Sequence, residues 1–432
     1  MQINELYKIF SSYPSIQTDS RKIKEGDLFF ALKGPNFNGN QYAQQALSAG
    51  AVYVIADESA GASNERIILV DDVLTTLQNL ALHHRLQFTV PGADHQVPFI
   101  AITGSNGKTT SKELMHAVLS STYKTYTTAG NLNNHIGIPL TILKIKPDAE
   151  MVIIEMGANH LHEIAGYCRY AMPTHGIITN CGKAHLEGFG SVEAIRKGKG
   201  ELFDYLRQNN GTAFIMQDLD YLQDMAKGIK NIVTYGTHHA TVCGQVKNSS
   251  GLLEVSINAG ANINSIQTNL VGAYNLSNVL LAVAVGKHFS VPDEKIKQSL
   301  ENYEPTNSRS QLLEKDGNKI ILDAYNANPT SMKAAIENFA AMDVTEKILI
   351  LGGMMELGKE SVPEHQQLID LINNYTWKQV VLVGGDFNKT NHHYQYFDNA
   401  ALAGLWLKDQ HFTNTGMLIK GSRSTQMEKV LE

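Results

Sequence analysis

Short apolar runs, each closed by a polar residue, recur along the chain. In its middle part they are 99–103 (FIAIT), 151–155 (MVIIE) and 176–180 (GIITN), and the helix-like 111–121 (SKELMHAVLSS) follows the first. A strand covered on one face alternates apolar and polar residues. These runs are apolar throughout, so they read as strands of a parallel sheet buried on both faces. Their polar C-terminal tips are where open α/β sheets bind ligands. Upstream, 27–32 (DLFFAL) and 51–56 (AVYVIA) read as strands around a helix-like 40–50 that Gly50 closes as a C-cap. From about Pro305 the alternation resumes with 319–323 (KIILD), the helix 331–342 (SMKAAIENFAAM), 347–353 (KILILGG), 379–385 (QVVLVGG) and 417–422 (MLIKGS). Strand and helix in turn predict a second doubly wound sheet.

The polar stretch 91–98 (PGADHQVP) reads as a linker. The expectation is an α/β protein of three domains, 1–90, 91–305 and 306–432, the middle one a parallel-sheet ATPase and the last Rossmann-like. A length of 432 residues agrees with two or three domains. The last domain lacks the fingerprint G-x-G-x-x-G, which argues against NAD.

Composition narrows the partners. A net charge of −6 argues against broad nucleic-acid binding. The three cysteines fit no metal spacing and no disulfide framework, so a reducing compartment is expected. The N-terminus lacks the charged-then-apolar order of a signal peptide, and no apolar run reaches the ~18 residues a membrane span needs. A cytoplasmic protein, not bound to a membrane, is expected.

Candidate chemistry starts at Gly104-Ser105-Asn106-Gly107-Lys108-Thr109-Thr110, between the strand 99–103 and the following helix. Glycines let backbone N–H groups converge on phosphate oxygens, and the helix N-terminus adds partial positive charge. Lys108 would neutralise the β- and γ-phosphates of ATP, and the Thr109 hydroxyl would ligate Mg²⁺. The loop is the short form G-x-x-G-K-T, with Ile102 where the longer motif has glycine; the plain alternative is a Gly/Asn turn before a lysine. Glu155, ending MVIIE, is a candidate metal carboxylate or a solvated strand end. His185, in the loop GKAHLEGFGS (182–191), is a ligand or a surface histidine. Lys199, in RKGKGELF (196–203), reads by default as a solvated helix lysine. Asp323 sits at a strand tip, where the topology rule puts ligand-facing groups.

Taken in order, these segments resemble the Mur ligase family over nearly the whole chain. TGSNGKTT (103–110) is similar to the family's phosphate loop. IEMGANHLHEI (154–164), NCGKAHLEGFGS (180–191), KGKGELF (197–203), GAYNLSNVLLAVAVG (272–286), LDAYNANPTSMKAAI (322–336) and GSRSTQME (421–428) follow in the family's order. GNLNNHIGIPLTIL (130–143) is similar to a segment peculiar to the member that adds D-alanyl-D-alanine. The resemblance implies an ATP-dependent amide ligase of cell-wall synthesis. Its substrates would be UDP-N-acetylmuramoyl-tripeptide and D-alanyl-D-alanine, and it would work as a monomer through an acyl phosphate.

The resemblance also implies roles. Thr109 and Glu155 match Mg²⁺ positions at the phosphates, and His185 matches a ligand of a second Mg²⁺. Lys199 matches a lysine carried as a carbamate, an anionic oxygen ligand. Asn275 and Asn278 would lie on the adenine side, and Arg309, Asp323, Tyr325 and Asn326 would face ATP. Ser20 and Arg21 would contact the uracil or phosphate of the UDP sugar, and Asn133 and Asn134 the tripeptide. Phe37-Asn38-Gly39-Asn40 departs from the common Phe-Asp-Gly-His. The rivals are a related amide ligase, either the one adding the third stem residue or a folylpolyglutamate synthase, which the 130–143 and 322–336 segments disfavour. A binding-only nucleotide regulator is the third reading. Lys108, Thr109, Glu155, His185 and Lys199 occurring together argue against it.

Overall fold

Phe99–Thr103, Met151–Glu155 and His175–Ile178 are strands in a computed structural model that describes residues 2–58, 64–88, 97–305 and 309–432. Most of the expected linker 91–98 lies outside the described residues. The first two strands are buried at every position, the condition their uninterrupted apolar runs predict. They pair in parallel, Phe99 beside Val152 and Ile102 beside Glu155.

The chain forms a mixed α/β fold with three main sheets. Ile16–Gln17, Leu28–Phe30, Tyr53–Ala56 and Ile67–Leu69 make a four-stranded parallel sheet. Nine strands make the central sheet, where Met151–Glu155 lies between Thr125–Thr127 and Phe99–Thr103. Its far edge is an antiparallel meander of Val242–Asn248, Leu252–Ala259 and Ser265–Val271. The third sheet has six strands: Gln311–Lys315, Asn318–Asp323, Gly416–Lys420, Lys347–Gly352, Gln379–Val383 and Gln395–Phe397 in spatial order. Its first pair is antiparallel and the rest parallel. The helix-like 40–50 is shorter than expected. A 3₁₀ turn, Gly39–Tyr42, precedes a helix of only Ala43–Ser48, because the Asn38 side chain accepts the Asn40 N–H and holds the tighter turn first.

Contacts divide the chain into two units. One comprises residues 1–102, 123–158 and 162–176. In it the helix Val73–Leu86 carries Arg85, whose Nε donates to Ala171 O at 3.0 Å and whose Nη2 donates to Met172 O at 3.0 Å. The guanidinium also lies 3.7 Å from the Phe99 ring centre, so a fully buried charge has both polar and aromatic partners. The other unit comprises 103–122, 159–161 and 177–432. Its C-terminal sheet buries Ile321, Leu349, Leu351 and Leu418 against Met332, Ile336 and Phe339 of the helix Pro329–Ala341 on one face. Its other face packs on Ala400, Ala403 and Val430.

Candidate active site

The glycine loop is shaped by two positions that admit no side chain. Gly104 has φ +144°, and a Cβ there would stand 1.9 Å from Thr179 Oγ1. Gly107 has φ +82°, and its Cβ would meet Asn278 Oδ1 at 2.7 Å. Left-handed backbone and crowding together require glycine at both. Between them the loop is tied down. Ser105 N–H donates to Asn180 O at 2.8 Å, and Ser105 Oγ–H to Gly182 O at 2.8 Å. Asn106 N–H donates to Asn180 Oδ1 at 3.1 Å, while Asn106 O accepts from Thr179 Oγ1 at 2.6 Å and Asn180 Nδ2 at 3.1 Å. The helix Lys108–Ser120 begins directly after Gly107. Lys108 curls back, its Nζ donating to Gly104 O at 2.7 Å and Ser105 O at 3.3 Å. Thr109 is buried in the first turn and Thr110 is half-buried beside it.

Asn275 and Asn278 lie behind the loop and both are buried. Asn275 Nδ2 donates to Val271 O at 2.8 Å, Asn278 Nδ2 to Asn275 Oδ1 at 2.8 Å, and Ser111 Oγ to Asn278 Oδ1 at 2.9 Å. The chain braces the loop's helix against the start of the helix Leu276–His288.

The loop carrying His185 is held from helices of the C-terminal block. Lys183 Nζ reaches Glu364 Oε1 at 2.6 Å, and Lys183 N–H donates to Thr330 Oγ1 at 3.2 Å. Asn328 Nδ2 donates to Asn106 Oδ1 at 2.7 Å, joining that block to the phosphate loop itself. His185 Nδ1 lies against a Glu356 carboxylate oxygen. That contact keeps the Glu356 carboxyl below its ordinary value, against the opposing effect of burial, and the Lys108 charge adds to the lowering. Nothing in the sequence marks Lys183, Glu356 or Glu364 as a site residue, and Asn328 stands only in a turn with a readable signal, Asn-Ala-Asn-Pro.

Lys199 is not a solvated lysine. It lies on the inner face of the helix Val192–Gln208, 1% exposed, with Nζ 5.7 Å from the Phe189 ring centre. Nearby Cys181 is pushed up to about 11 by burial, against the pull of Lys199 and Arg196, which disfavours its thiolate.

In the C-terminal sheet, Asp323 pairs with buried Lys420 at 2.5 Å and accepts the Ser310 N–H at 3.3 Å. Lys420 Nζ also donates to Asn326 O at 3.3 Å. The Arg309 guanidinium stacks 3.5 Å from the Tyr325 ring centre. Asn326 Oδ1 accepts the Ala327 N–H at 2.9 Å and shapes the turn.

In the other unit, Glu155 is 2% exposed, so it is no solvated strand end. Its Oε1 accepts from Asn133 Nδ2 at 2.9 Å, and its N–H donates to Thr128 Oγ1 at 3.0 Å. Asn133 O accepts the Gly157 N–H at 2.7 Å, so two expected site residues are joined. Asn134 instead shapes its own turn, accepting the N–H groups of Ile136 at 3.1 Å and Gly137 at 2.8 Å. Ser20 and Arg21 lie on the turn Ser20–Lys22. Arg21 is exposed and pairs with Asp19 through Nε at 2.8 Å and Nη2 at 2.8 Å, which lowers the Asp19 carboxyl to about 2. Asn40, the position that departs from histidine, is buried and donates to Asp57 Oδ1 at 2.8 Å.

Among the described residues no three His, Cys, Asp or Glu side chains cluster as a metal cage. Mg²⁺ does not require one, since it is commonly held through one or two protein oxygens, substrate phosphates and water. The Thr109 hydroxyl and the buried Glu155 carboxylate each offer an oxygen of that kind. Among the described residues, no helix is long and apolar enough to cross a membrane.

Three family models match successive parts of the chain: the Mur ligase family catalytic domain over 12–85, the Mur ligase middle domain over 102–286, and the Mur ligase glutamate ligase domain over 308–421. The chain is similar to a UDP-N-acetylmuramoyl-tripeptide–D-alanyl-D-alanine ligase of Bacillus subtilis, 36% identical over 82% of this chain and 76% of that protein. It is similar to the Escherichia coli ligase of the same name, 32% identical over 96% and 92%. Among solved structures, the MurF ligase of Thermotoga maritima in complex with ADP superposes with a TM-score of 0.86, at 26% identity and 96% coverage of both chains.

Proposed function

The chain belongs to the Mur ligase family, and from that premise we propose that it joins D-alanyl-D-alanine to UDP-N-acetylmuramoyl-tripeptide with conversion of ATP to ADP and phosphate, in peptidoglycan precursor synthesis. The carrying observation is likeness over 82% and 96% of the chain to relatives of that one named activity. The strand–glycine loop–helix with Lys108 across it supplies the nucleotide half of the reading.

The reaction activates a carboxylate. The terminal carboxylate of the tripeptide attacks the γ-phosphorus, the bond to the β-phosphate oxygen breaks, and ADP leaves. The amine of D-alanyl-D-alanine then attacks the acyl carbon, loses a proton, and inorganic phosphate departs as the amide forms. The protein's part is to place anions and balance charge. Lys108 and the N–H groups of 104–110, apart from those of Ser105 and Asn106 that Asn180 takes, would hold the β- and γ-phosphates, with Arg309, Asp323, Tyr325 and Asn326 toward the nucleotide and Asn275 and Asn278 beneath the loop. Thr109 and Glu155 would hold one Mg²⁺, and His185 with an N-carboxylated Lys199 a second; such ions supply charge neutralisation at the phosphates. Asn133 and Asn134 would meet the tripeptide, and Ser20 and Arg21 the uridine nucleotide. We take 1–90, 91–305 and 306–432 as the domains, the chain as a monomer, and the cytoplasm, where ATP and UDP-sugars are made, as its place.

Purified chain with Mg²⁺ should release phosphate rapidly only when UDP-tripeptide and D-alanyl-D-alanine are both present, with a product whose mass is their sum less water. Equal release from ATP alone would make it a plain ATPase.

A further inference from the structure

Two residues with left-handed backbone face each other across the loop that carries His185. His185 has φ 54° and Glu356 has φ 61°. Non-glycine residues in that region are strained by about 1–3 kcal/mol and persist only where the surroundings fix them. Here they are fixed. Glu356 O accepts the Glu187 N–H at 3.1 Å, two residues beyond His185. On the preceding turn, Met355 N–H donates to Ser422 Oγ at 3.1 Å, and Met354 N–H to His365 Nε2 at 3.0 Å. The outcome of this bracing is a single side-chain contact, a Glu356 carboxylate oxygen against Nδ1 of His185.

We infer that Glu356 is a positioning residue for His185: its carboxylate, in contact with Nδ1, accepts from Nδ1–H and so selects the tautomer whose lone pair is on Nε2, the nitrogen a cation would take. A carboxylate behind a ligating imidazole fixes both its tautomer and its orientation, and losing such a partner typically weakens metal binding about 10–100-fold. Glu356 also stands in the field of Lys108. A carboxylate there opposes an incoming phosphate, so its presence is not explained by nucleotide affinity. The inference rests on the reading of His185 as a metal ligand.

The test is Mn²⁺ binding by electron paramagnetic resonance, on the full chain with a non-hydrolysable ATP analogue, alongside affinity for ADP without metal. His185→Ala should remove one Mn²⁺ equivalent. Glu356→Gln should keep that equivalent but weaken it about 10–100-fold, while metal-free ADP affinity holds or tightens because a negative charge has left the field of Lys108. A merely structural role would lower both. Glu356→Asn, whose short side chain tolerates left-handed backbone, repeats the measurement with the turn kept. An unchanged Mn²⁺ equivalent in His185→Ala would remove the ligand reading itself. Loss of that equivalent in His185→Ala with wild-type Mn²⁺ affinity in both Glu356 variants would overturn the positioning role alone.

Discussion

Asp323→Ala should lower the stability of the C-terminal block as well as activity. The carboxylate meets Lys420 Nζ at 2.5 Å, with side chains only 16% and 3% exposed. Lys420's remaining contact, Asn326 O at 3.3 Å, is a neutral acceptor and does not cancel its charge. Removing one member of a buried pair costs about 3–5 kcal/mol, because the other charge is left buried alone. Water reaches Asp323 to some degree, so about 2–4 kcal/mol is the discounted figure. Both tryptophans, Trp377 and Trp406, fall in this block and pack against Phe339 and Phe397, so their emission in urea reports its unfolding. At a slope of about 2 kcal/mol/M, the midpoint should drop by about 1–2 M. Lys420→Met should cost a similar amount, and the double variant much less than the sum. Single variants within about 0.5 kcal/mol of wild type, and additive, would refute the buried-pair reasoning. The comparison matters because lost activity in Asp323→Ala would not by itself identify an ATP contact.

Lys108→Ala should lower turnover about a hundredfold or more, as loss of one preorganised charge contact does, with thermal unfolding little changed; near-normal turnover would mean the loop does not hold ATP. Gly107→Ala, at φ +82° and with its Cβ 2.7 Å from Asn278 Oδ1, should weaken ADP binding in calorimetry; unchanged affinity would mean that the loop's shape does not matter for the nucleotide. His365 is wholly buried, and burial pushes its imidazole below the ordinary 6.5. Its unfolded form takes up a proton that the folded form resists, so the tryptophan-reported midpoint should fall as pH drops from 7 to 5, and less so in His365→Gln. Glu356 and Asp386, held below their ordinary 4.5 and 3.8, titrate beneath that window. Lys199→Ala should lose most activity, and formate should restore part of it by supplying an oxygen ligand; a bare amine in ¹³C-bicarbonate NMR of active protein would dismiss the carbamate.

What could be read from the chain was what neighbouring residues decide. The phosphate loop stood out because strand, glycines, lysine and helix are consecutive, and backbone sterics alone constrain them. The fully buried strands stood out because both faces impose the same demand at every position. The meander 242–271 carries the other strand signal, alternation, as in Leu252–Ala259, where buried and part-exposed residues take turns, and a search for uninterrupted apolar runs passes over it. Glu155 and Lys199 were each open to a solvated reading, since burial is decided by other segments. Lys183 and Glu364 are 181 residues apart, and Lys420 and Asp323 are 97 apart. Nothing local marks either pair, because each charge is explained only by its partner.

That distinction bears on how the nucleotide site is built. The loop's glycines permit its shape, but Asn106 is held by Thr179 and Asn180, just past the strand His175–Ile178, and by Asn328, 222 residues on. Asn328 is at the same time the N-cap of the helix Pro329–Ala341, accepting the Ser331 N–H at 2.9 Å. One residue therefore starts a helix in the C-terminal sheet and fixes a carboxamide in the phosphate loop. A donor array oriented before substrate arrives needs no reorganisation during reaction, which is the main way a protein accelerates phosphoryl transfer. The C-terminal block thus contributes to the site in a physical sense: through Asn328 it holds a side chain of the phosphate loop, and a substitution that breaks this contact should be felt at the phosphates.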